Sequence, residues 1–252
     1  MEQRRIEDPL GNFFESRGRA HQGMKPRVVF FDWGGTLAYR PPHVRSPEAV
    51  WVQVTKDLGV ADLTEEEIQA KTRALDRDWQ AKMYGYLGRS EQFWEEYNAA
   101  VMDSLGIQER RKEVSRRIDA TLQDPSSQRL FPETREVLTR LRSDGYRLGV
   151  ISNSSERLVT VVRNFELDRE FDPIVFTQQV GAEKPDRRVF QFALERADCR
   201  APEAVHVGDT FEADYLGATR AGLRAIWVNR KGVPAPGPCA SVSNLREVEA
   251  LL

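Results

Sequence analysis

The sequence predicts an α/β chain: a doubly wound parallel sheet with helices on both faces and an inserted helical bundle. Three observations carry this. From Phe131 onward, short apolar runs alternate with amphipathic stretches of helical length, the pattern of a parallel sheet built through crossover connections. Arg27-Val-Val-Phe-Phe-Asp32 is an apolar run closed by a turn, as suits a strand buried on both faces. Between residues 41 and 128 no strand-like run occurs, so that stretch reads as a helical insertion.

The elements follow in order. After the first strand, Trp33-Gly34-Gly35-Thr36 lets the chain turn sharply. Ser46 and Pro47 form an N-cap and first-turn pair that opens a helix over Glu48 to Leu58. Thr64 and Glu67 make a capping box for a helix reaching about Met83. Ser90 opens a third helix through Phe93, Trp94, Tyr97 and Val101, and Gln108 to Leu122 offers a fourth. In the C-terminal part, helices are expected over Pro132–Arg142, Glu156–Asn164, Pro185–Ala197, Glu212–Ala221 and Val242–Leu251. Strands are expected over Arg147–Ser152, Pro173–Thr177, Ala204–Val207 and Arg224–Val228. Gly222 closes the helix before it as its C′ residue.

Composition narrows the function classes. The chain has 252 residues, with 37 Lys plus Arg against 39 Asp plus Glu and a net charge of −2. That balance gives no electrostatic reason to expect nucleic acid or an anionic membrane as a partner. The basic run Arg110, Arg111, Lys112, Arg116 and Arg117 reads as a solvated helix face. No apolar run of about 18 residues occurs, so no membrane span is expected. Residues 1–24 are polar and charged, without an apolar segment of a secretory signal, and read as a flexible N-terminal extension. Cys199 and Cys239 form no CxxC pair, so neither a disulfide framework nor a zinc site is suggested. A reducing, cytoplasmic setting and a monomer or homodimer are expected.

The chemistry gathers at the predicted strand ends, where open parallel sheets bind ligands. The first strand ends in Asp32, the second in Ser152-Asn153. The turn after the third carries Lys184-Pro185, and the fourth runs into Gly208-Asp209, with Asp214 just beyond. Each residue alone is an ordinary turn former, cap or surface charge. Together, at the ends of one sheet, they point to a site. Asp32 and Asp209 facing each other would repel unless a cation lay between them. Magnesium suits this, because it takes a few carboxylate oxygens and keeps waters that a phosphate can replace. A carboxylate can attack phosphorus. Lys184 would offset the charge, and Ser152 with backbone N–H groups would bind phosphoryl oxygens. Asp214 would orient Lys184 or a metal-bound water.

The chain resembles the haloacid dehalogenase-like hydrolase superfamily. The resemblance lies in Val28-Val-Phe-Phe-Asp-Trp-Gly-Gly-Thr-Leu37, Val150-Ile-Ser-Asn153, Lys184-Pro185, and Val207-Gly-Asp-Thr-Phe-Glu-Ala-Asp-Tyr-Leu-Gly-Ala218 with Ala221-Gly222. It implies a Rossmannoid core over residues 25–40 and 129–252 and a helical cap over 41–128. It also implies that Asp32 is the nucleophile and that Ser152 and Lys184, with Thr36 and Asn153, bind the phosphoryl group. Magnesium would be held by Asp32, Asp209 and the Gly34 carbonyl, with Asp214 as a further carboxylate of the metal site. The substrate implied is a small phosphorylated metabolite.

One departure matters. Phosphatases of the family carry a second Asp two residues after the nucleophile, as acid to the leaving group and then base for water. Here that position is Gly34. Losing a general acid costs a factor of about 10²–10⁴ with a poor leaving group. Three readings follow. The substrate can be an acyl phosphate, anhydride or phosphonate, whose leaving group needs little protonation. A phosphonate hydrolase would draw a Schiff-base lysine from Lys56, Lys71, Lys82 or Lys112, and a dehalogenase fits less well because Gly-Asp…Asp is retained. Alternatively His43, just beyond the turn, supplies the proton. The last reading is a binding or regulatory protein with weak or no turnover. His206 reads as a packed core residue, and the aromatics of the insertion as bundle core, with Trp51 or Tyr86 open to line a cavity.

Overall fold

A computed structural model describes residues 25–122, 124 and 127–252. The expected N-terminal extension, residues 1–24, lies outside these. Six strands form one sheet in the order β5-β4-β1-β6-β7-β8, and every neighbouring pair is parallel. The strands are β1 (Val28–Phe31), β4 (Arg147–Ser152), β5 (Ile174–Phe176), β6 (Ala204–Gly208), β7 (Arg224–Val228) and β8 (Ser241–Val242). The chain moves outward from β1 through β4 to β5, then returns to the far side of β1 for β6, β7 and β8. The winding reverses beside β1, the place where sheets of this kind bind their ligands.

Side chains of β1 alternate across the sheet. Val29 and Phe31 pack with Val137, Leu138 and Leu141 of α5 (Thr134–Ser143), and with Leu158 and Val162 of α6 (Arg157–Asn164). Val28 and Phe30 pack on the other face, with Val189, Phe190 and Ala193 of α7 (Arg187–Arg196), and with Ala218 and Ala221 of α8 (Gly217–Ala221). All four β1 side chains are at most 1% exposed. Each buried Phe or Val of this kind contributes about 1.5–3 kcal/mol. The apolar run at 28–31 therefore makes β1 central, which fixes Asp32 at the middle of the sheet's carboxyl edge.

Between β1 and β4 the chain leaves the sheet. A two-residue ribbon, β2 (Ala38–Tyr39) with β3 (Arg129–Leu130), pairs antiparallel at the exit and return points. Among the described residues four α-helices lie between: α1 (Pro47–Asp57), α2 (Glu65–Met83), α3 (Ser90–Ser104) and α4 (Arg111–Leu122). Ser46 accepts from the Ala49 amide, and Thr64 and Glu67 complete the expected capping box. These helices own a separate core of Val50, Trp51, Val54, Ile68, Val101, Met102, Val114 and Ile118. Trp51 is thus core rather than cavity lining. Phe93 sits within ring-contact distance of Trp79, Tyr86, Trp94 and Tyr97. None of the helices among the described residues is long and apolar enough to cross a membrane.

Three expectations need correction. Val242–Leu251 is not an α-helix: Ser241–Val242 adds an edge strand, and Leu245–Leu251 is a 3₁₀ helix started by Asn244, whose side chain accepts from the Arg246 amide. Leu245 and Val248 are three apart, a spacing that serves three residues per turn as well as 3.6. Glu212–Ala221 begins as a π-type turn over Phe211–Leu216 and becomes α-helical only at Gly217. The helix after Pro185 starts at Arg187, because Asp186 caps it by accepting from the Arg188 amide. The β2–β3 ribbon was not foreseen.

Candidate active site

The register aligns the strand ends. Phe31 pairs with Val150 on one side and Val207 on the other, so Asp32, Ile151-Ser152 and Gly208-Asp209 leave the sheet together. The Asp32 amide donates to the Val207 carbonyl at 2.9 Å. A tight turn follows, in which Gly35 N donates to Ala38 O at 2.7 Å, and Leu37 N and Ala38 N both donate to Trp33 O. Gly35 has φ of +80°, and a Cβ there would lie 2.2 Å from Asp209 Oδ2. Both facts demand glycine. A Cβ on Gly208 would meet the Asp214 carboxyl carbon at the same 2.2 Å.

Lys184 is the hub. Its Nζ donates to Asp32 Oδ1 at 2.8 Å, Asp214 Oδ1 at 2.6 Å and the Ile151 carbonyl at 2.8 Å. All three N–H bonds are used, in a side chain only 2% exposed. Asn153 fixes the Lys184 backbone, accepting from its amide at 2.9 Å and donating to its carbonyl at 3.2 Å. The Asn153 side chain, expected at a phosphate, is spent on placing Lys184. Asp214 also accepts from Thr210 N at 2.9 Å and pairs with His206 Nε2 at 2.9 Å. The Trp227 indole donates to the Asp209 carbonyl at 2.8 Å.

Oxygens of Asp32, Asp209 and Asp214 all lie within 4.8 Å of one another. Burial, and then the neighbouring carboxylates, push Asp32 up to about 7 against the pull of Lys184. Burial and Asp214 raise Asp209 as well. Burial also works against Asp214, but Lys184 and His206 outweigh it and hold that carboxyl below its usual range. Burial lowers Lys184 less than Asp32 and Asp214 raise it, so it stays an ammonium. His206 is fully buried, which lowers its pKa and keeps the ring neutral. Three carboxyl groups thus face one ammonium, and with all three ionised two negative charges would exceed it. A divalent cation with oxygen preference fits that deficit.

The other expected residues fall as follows. Ser152 ends β4 and is 7% exposed. Thr36 is fully buried, its carbonyl accepts from Arg230, and its hydroxyl finds no partner. Gly34 is exposed, and a Cβ added there meets nothing within 4 Å. His43 is exposed and shares no hydrogen bond or ion pair with the cluster among the described residues. Lys56, Lys71, Lys82 and Lys112 are all exposed, and Lys82 lies over the Trp79 ring at 4.4 Å. A Schiff-base lysine needs a desolvated amine, which none of these has.

Sequence reasoning missed the partners around the hub. His206 is a core residue as expected, yet its ring is also bonded to Asp214. A buried histidine calls for a ring partner, and Asp214, just downstream, supplies one at Nε2 while Nδ1 finds none. The loops also meet the helical layer. Glu156 accepts from the Gly88 amide at 2.8 Å and the Ser90 amide at 2.9 Å. Gln178 receives the Glu156 amide at 3.0 Å and donates to Met83 O at 2.9 Å. The segment between α2 and α3 is therefore held by residues that follow β4 and β5. Glu156→Ala is expected to raise amide exchange at Gly88 and Ser90 while leaving Val150 and Ile151 protected. Equal protection at Gly88 and Ser90 in both proteins would show that other contacts hold the segment.

A doubly wound sheet with a carboxylate cluster at its switch point defines the Rossmannoid α/β class. The family profile described as haloacid dehalogenase-like hydrolase matches residues 26–222, and the chain belongs to that family. It is 45% identical over 107 residues to the glyceraldehyde 3-phosphate phosphatase of Methanothermobacter thermautotrophicus, covering 40% of this chain and 45% of that protein. It is 32% identical over 161 residues to the phosphoserine phosphatase of Thermus thermophilus, covering 60% and 61%. The chain spans about half the length of the curated relatives it matches. A crystal structure of a 2-haloacid dehalogenase from Pseudomonas syringae pv. Tomato aligns with TM-score 0.69 at 26% identity, over 90% of this chain and 98% of that one. A phosphatase structure from Thermococcus onnurineus shares the fold at TM-score 0.61 and 23% identity, over 90% and 97%.

Proposed function

We propose that the protein is a magnesium-dependent phosphatase of a small phosphorylated metabolite, acting through an aspartyl phosphate on Asp32. The single observation that carries this is the charge deficit. A lysine bridges Asp32 to Asp214, Asp209 lies beside them, and with all three carboxyls ionised two negative charges would have no counterpart. The donor set is all oxygen, as magnesium requires. Asp32, Asp209 and the Gly34 carbonyl would hold the ion. Asp214 has both oxygens committed to Lys184, His206 and Thr210, and it orients the lysine. When bound, the cation supplies the fixed positive charge that draws phosphoryl oxygens to the carboxylates. The phosphatase relatives support the reaction class.

The residues then divide the work. An Asp32 oxygen attacks phosphorus, the bond to the leaving oxygen breaks, and water later cleaves the acyl phosphate to release inorganic phosphate and restore the carboxylate. Lys184 holds Asp32 against rotation and neutralises charge on the transferred group. Ser152 and the backbone amides of its loop bind phosphoryl oxygens. Helices α1–α4 act as a cap over residues 41–128 that excludes water when closed, on a core of 25–40 and 129–252. Gly34 offers no proton, so the reading favours acyl phosphates and anhydrides, whose leaving groups depart unprotonated; a phosphonate would need the Schiff-base lysine that none of Lys56, Lys71, Lys82 and Lys112 supplies.

A panel of acyl phosphates, anhydrides, phosphonates, alkyl phosphates and 2-haloacids, assayed with and without magnesium, tests the proposal. Magnesium-dependent release of phosphate supports it. Metal-independent release of halide would make the protein a dehalogenase, and no turnover of any compound would leave a binding or regulatory protein. Gly34→Asp is expected to raise kcat on alkyl phosphates by about 10²-fold, the lower end of general-acid catalysis. The open space around Gly34 and its ordinary φ admit the side chain. An unchanged rate would show that more than the proton donor is missing.

A further inference from the structure

Arg230 follows β7, far in sequence from the first turn, yet its guanidinium reaches that turn. Nε donates to Gly35 O at 3.3 Å and Nη2 to Thr36 O at 3.0 Å. The remaining arm, Nη1, bonds Glu133 Oε1 at 2.7 Å, and the guanidinium plane lies 3.5 Å from the centre of the Phe131 ring. Gly35 and Thr36 belong to the turn after Asp32, while Phe131 and Glu133 lie on the segment that returns from the helical layer after β3. That return segment grips the same turn by itself: Phe131 N donates to Leu37 O at 3.0 Å, and the Thr134 hydroxyl donates to it at 2.7 Å. Glu133 is 4% exposed, so its charge needs this partner.

We propose that Arg230 is a positioning residue that pins the turn Gly34–Thr36 to the return segment and so aims the Gly34 carbonyl and Asp32 at the reacting group. Its catalytic meaning rests on the function proposed above. The argument is geometric. Two adjacent carbonyls, a carboxylate and an aromatic face surround one planar fork, an arrangement only arginine satisfies; a lysine ammonium has neither the plane nor the directions. The turn's own backbone bonds engage the amides of Gly35, Leu37 and Ala38 but leave the Gly35 and Thr36 carbonyls unheld, beside two glycines of wide conformational freedom. The guanidinium holds both carbonyls from outside. Movement of the return segment, which carries the helical layer, is thereby passed to the carbonyls beside Asp32.

The test compares wild type, Arg230→Lys and Arg230→Ala. In the metal-free proteins, amide exchange at Gly35, Leu37 and Ala38 is expected to rise at least about tenfold in both variants, with the β4 amides unaffected. The magnesium dissociation constant, measured by calorimetry below the unfolding range, is expected to rise about 10–100-fold, the usual effect of losing an outer partner of a metal site. For the best substrate, kcat should fall more than KM rises. If Arg230→Ala does not fold, Arg230→Lys, which keeps the charge and stem, gives the same comparison. Exchange and magnesium affinity both within twofold of wild type would overturn the proposal. A wild type that binds no magnesium and hydrolyses no phosphate would instead overturn the proposed function, and the exchange data would then decide the pin by themselves.

Discussion

Asp214→Asn is expected to lower the stability of the metal-free protein by about 3–5 kcal/mol, the cost of removing one partner from a buried charge pair. Asp214 is 2% exposed, and its two oxygens receive Lys184 Nζ, His206 Nε2 and Thr210 N. An amide cannot replace it. With the amide oxygen at the Oδ1 position, its NH₂ faces the Thr210 N–H; turned round, it faces Lys184 and His206. Lys184, with no more than 5% of its surface exposed, would keep only Asp32 as a counter-charge. The midpoint of thermal unfolding should fall by roughly 6–20 °C. The pH dependence has a definite sign. The Asp214 carboxyl is held below its ordinary 3.8, so the stability it contributes is present above that pH and is lost as pH falls below it. The variant should lack that acid limb. A midpoint within about 2 °C of wild type at neutral pH would show that Lys184 is held by its other bonds alone.

What the sequence revealed followed from signals contained in single segments. The run Val28–Phe31 could only be a strand covered on both faces, and this placed Asp32. Ser152-Asn153, Lys184-Pro185 and Gly208-Asp209 each end or follow such a run, so their meeting at one rim could be read from order alone. The unread parts depend on distance or on shape. A ribbon of two residues per strand, at 38–39 and 129–130, has no periodicity to detect. The bond from Arg230 to Glu133 joins residues 97 apart through side chains that local pattern treats as surface charges. The resemblance put Asn153 at the phosphate, while its bonds to the Lys184 backbone join residues 31 apart and leave no local pattern to read. His206 satisfied every rule for a core residue, and its second role appeared only when the π-type turn at Phe211–Leu216 brought Asp214 back over β6.

Asp32→Asn is expected to abolish turnover, by a factor on the order of 10⁴–10⁶ in kcat, as removal of a nucleophile does in enzymes that work through a covalent intermediate. Its effect on the fold should be the opposite of that of Asp214→Asn. Burial pushes Asp32 up to about 7, so its ionisation above that pH works against the folded metal-free protein. A raised folded-state pKa means that the group's contribution is fully present below the ordinary 3.8 and is lost as pH rises through about 7. Asparagine carries no charge to desolvate and still accepts from Lys184 at Oδ1. Lys184 also keeps Asp214 and the Ile151 carbonyl. At pH 8, metal-free Asp32→Asn should therefore unfold at or above the wild-type temperature, and the two curves should converge in acid. On the proposed function, this is the cost of a site that must accept a cation and a phosphoryl group, where activity is held at the expense of stability. Magnesium should raise the wild-type midpoint through binding to the folded state and raise that of Asp32→Asn much less. An inactive variant that also unfolds well below wild type at pH 8 would mean that Asp32 supports the core. Retained turnover would remove it as the nucleophile.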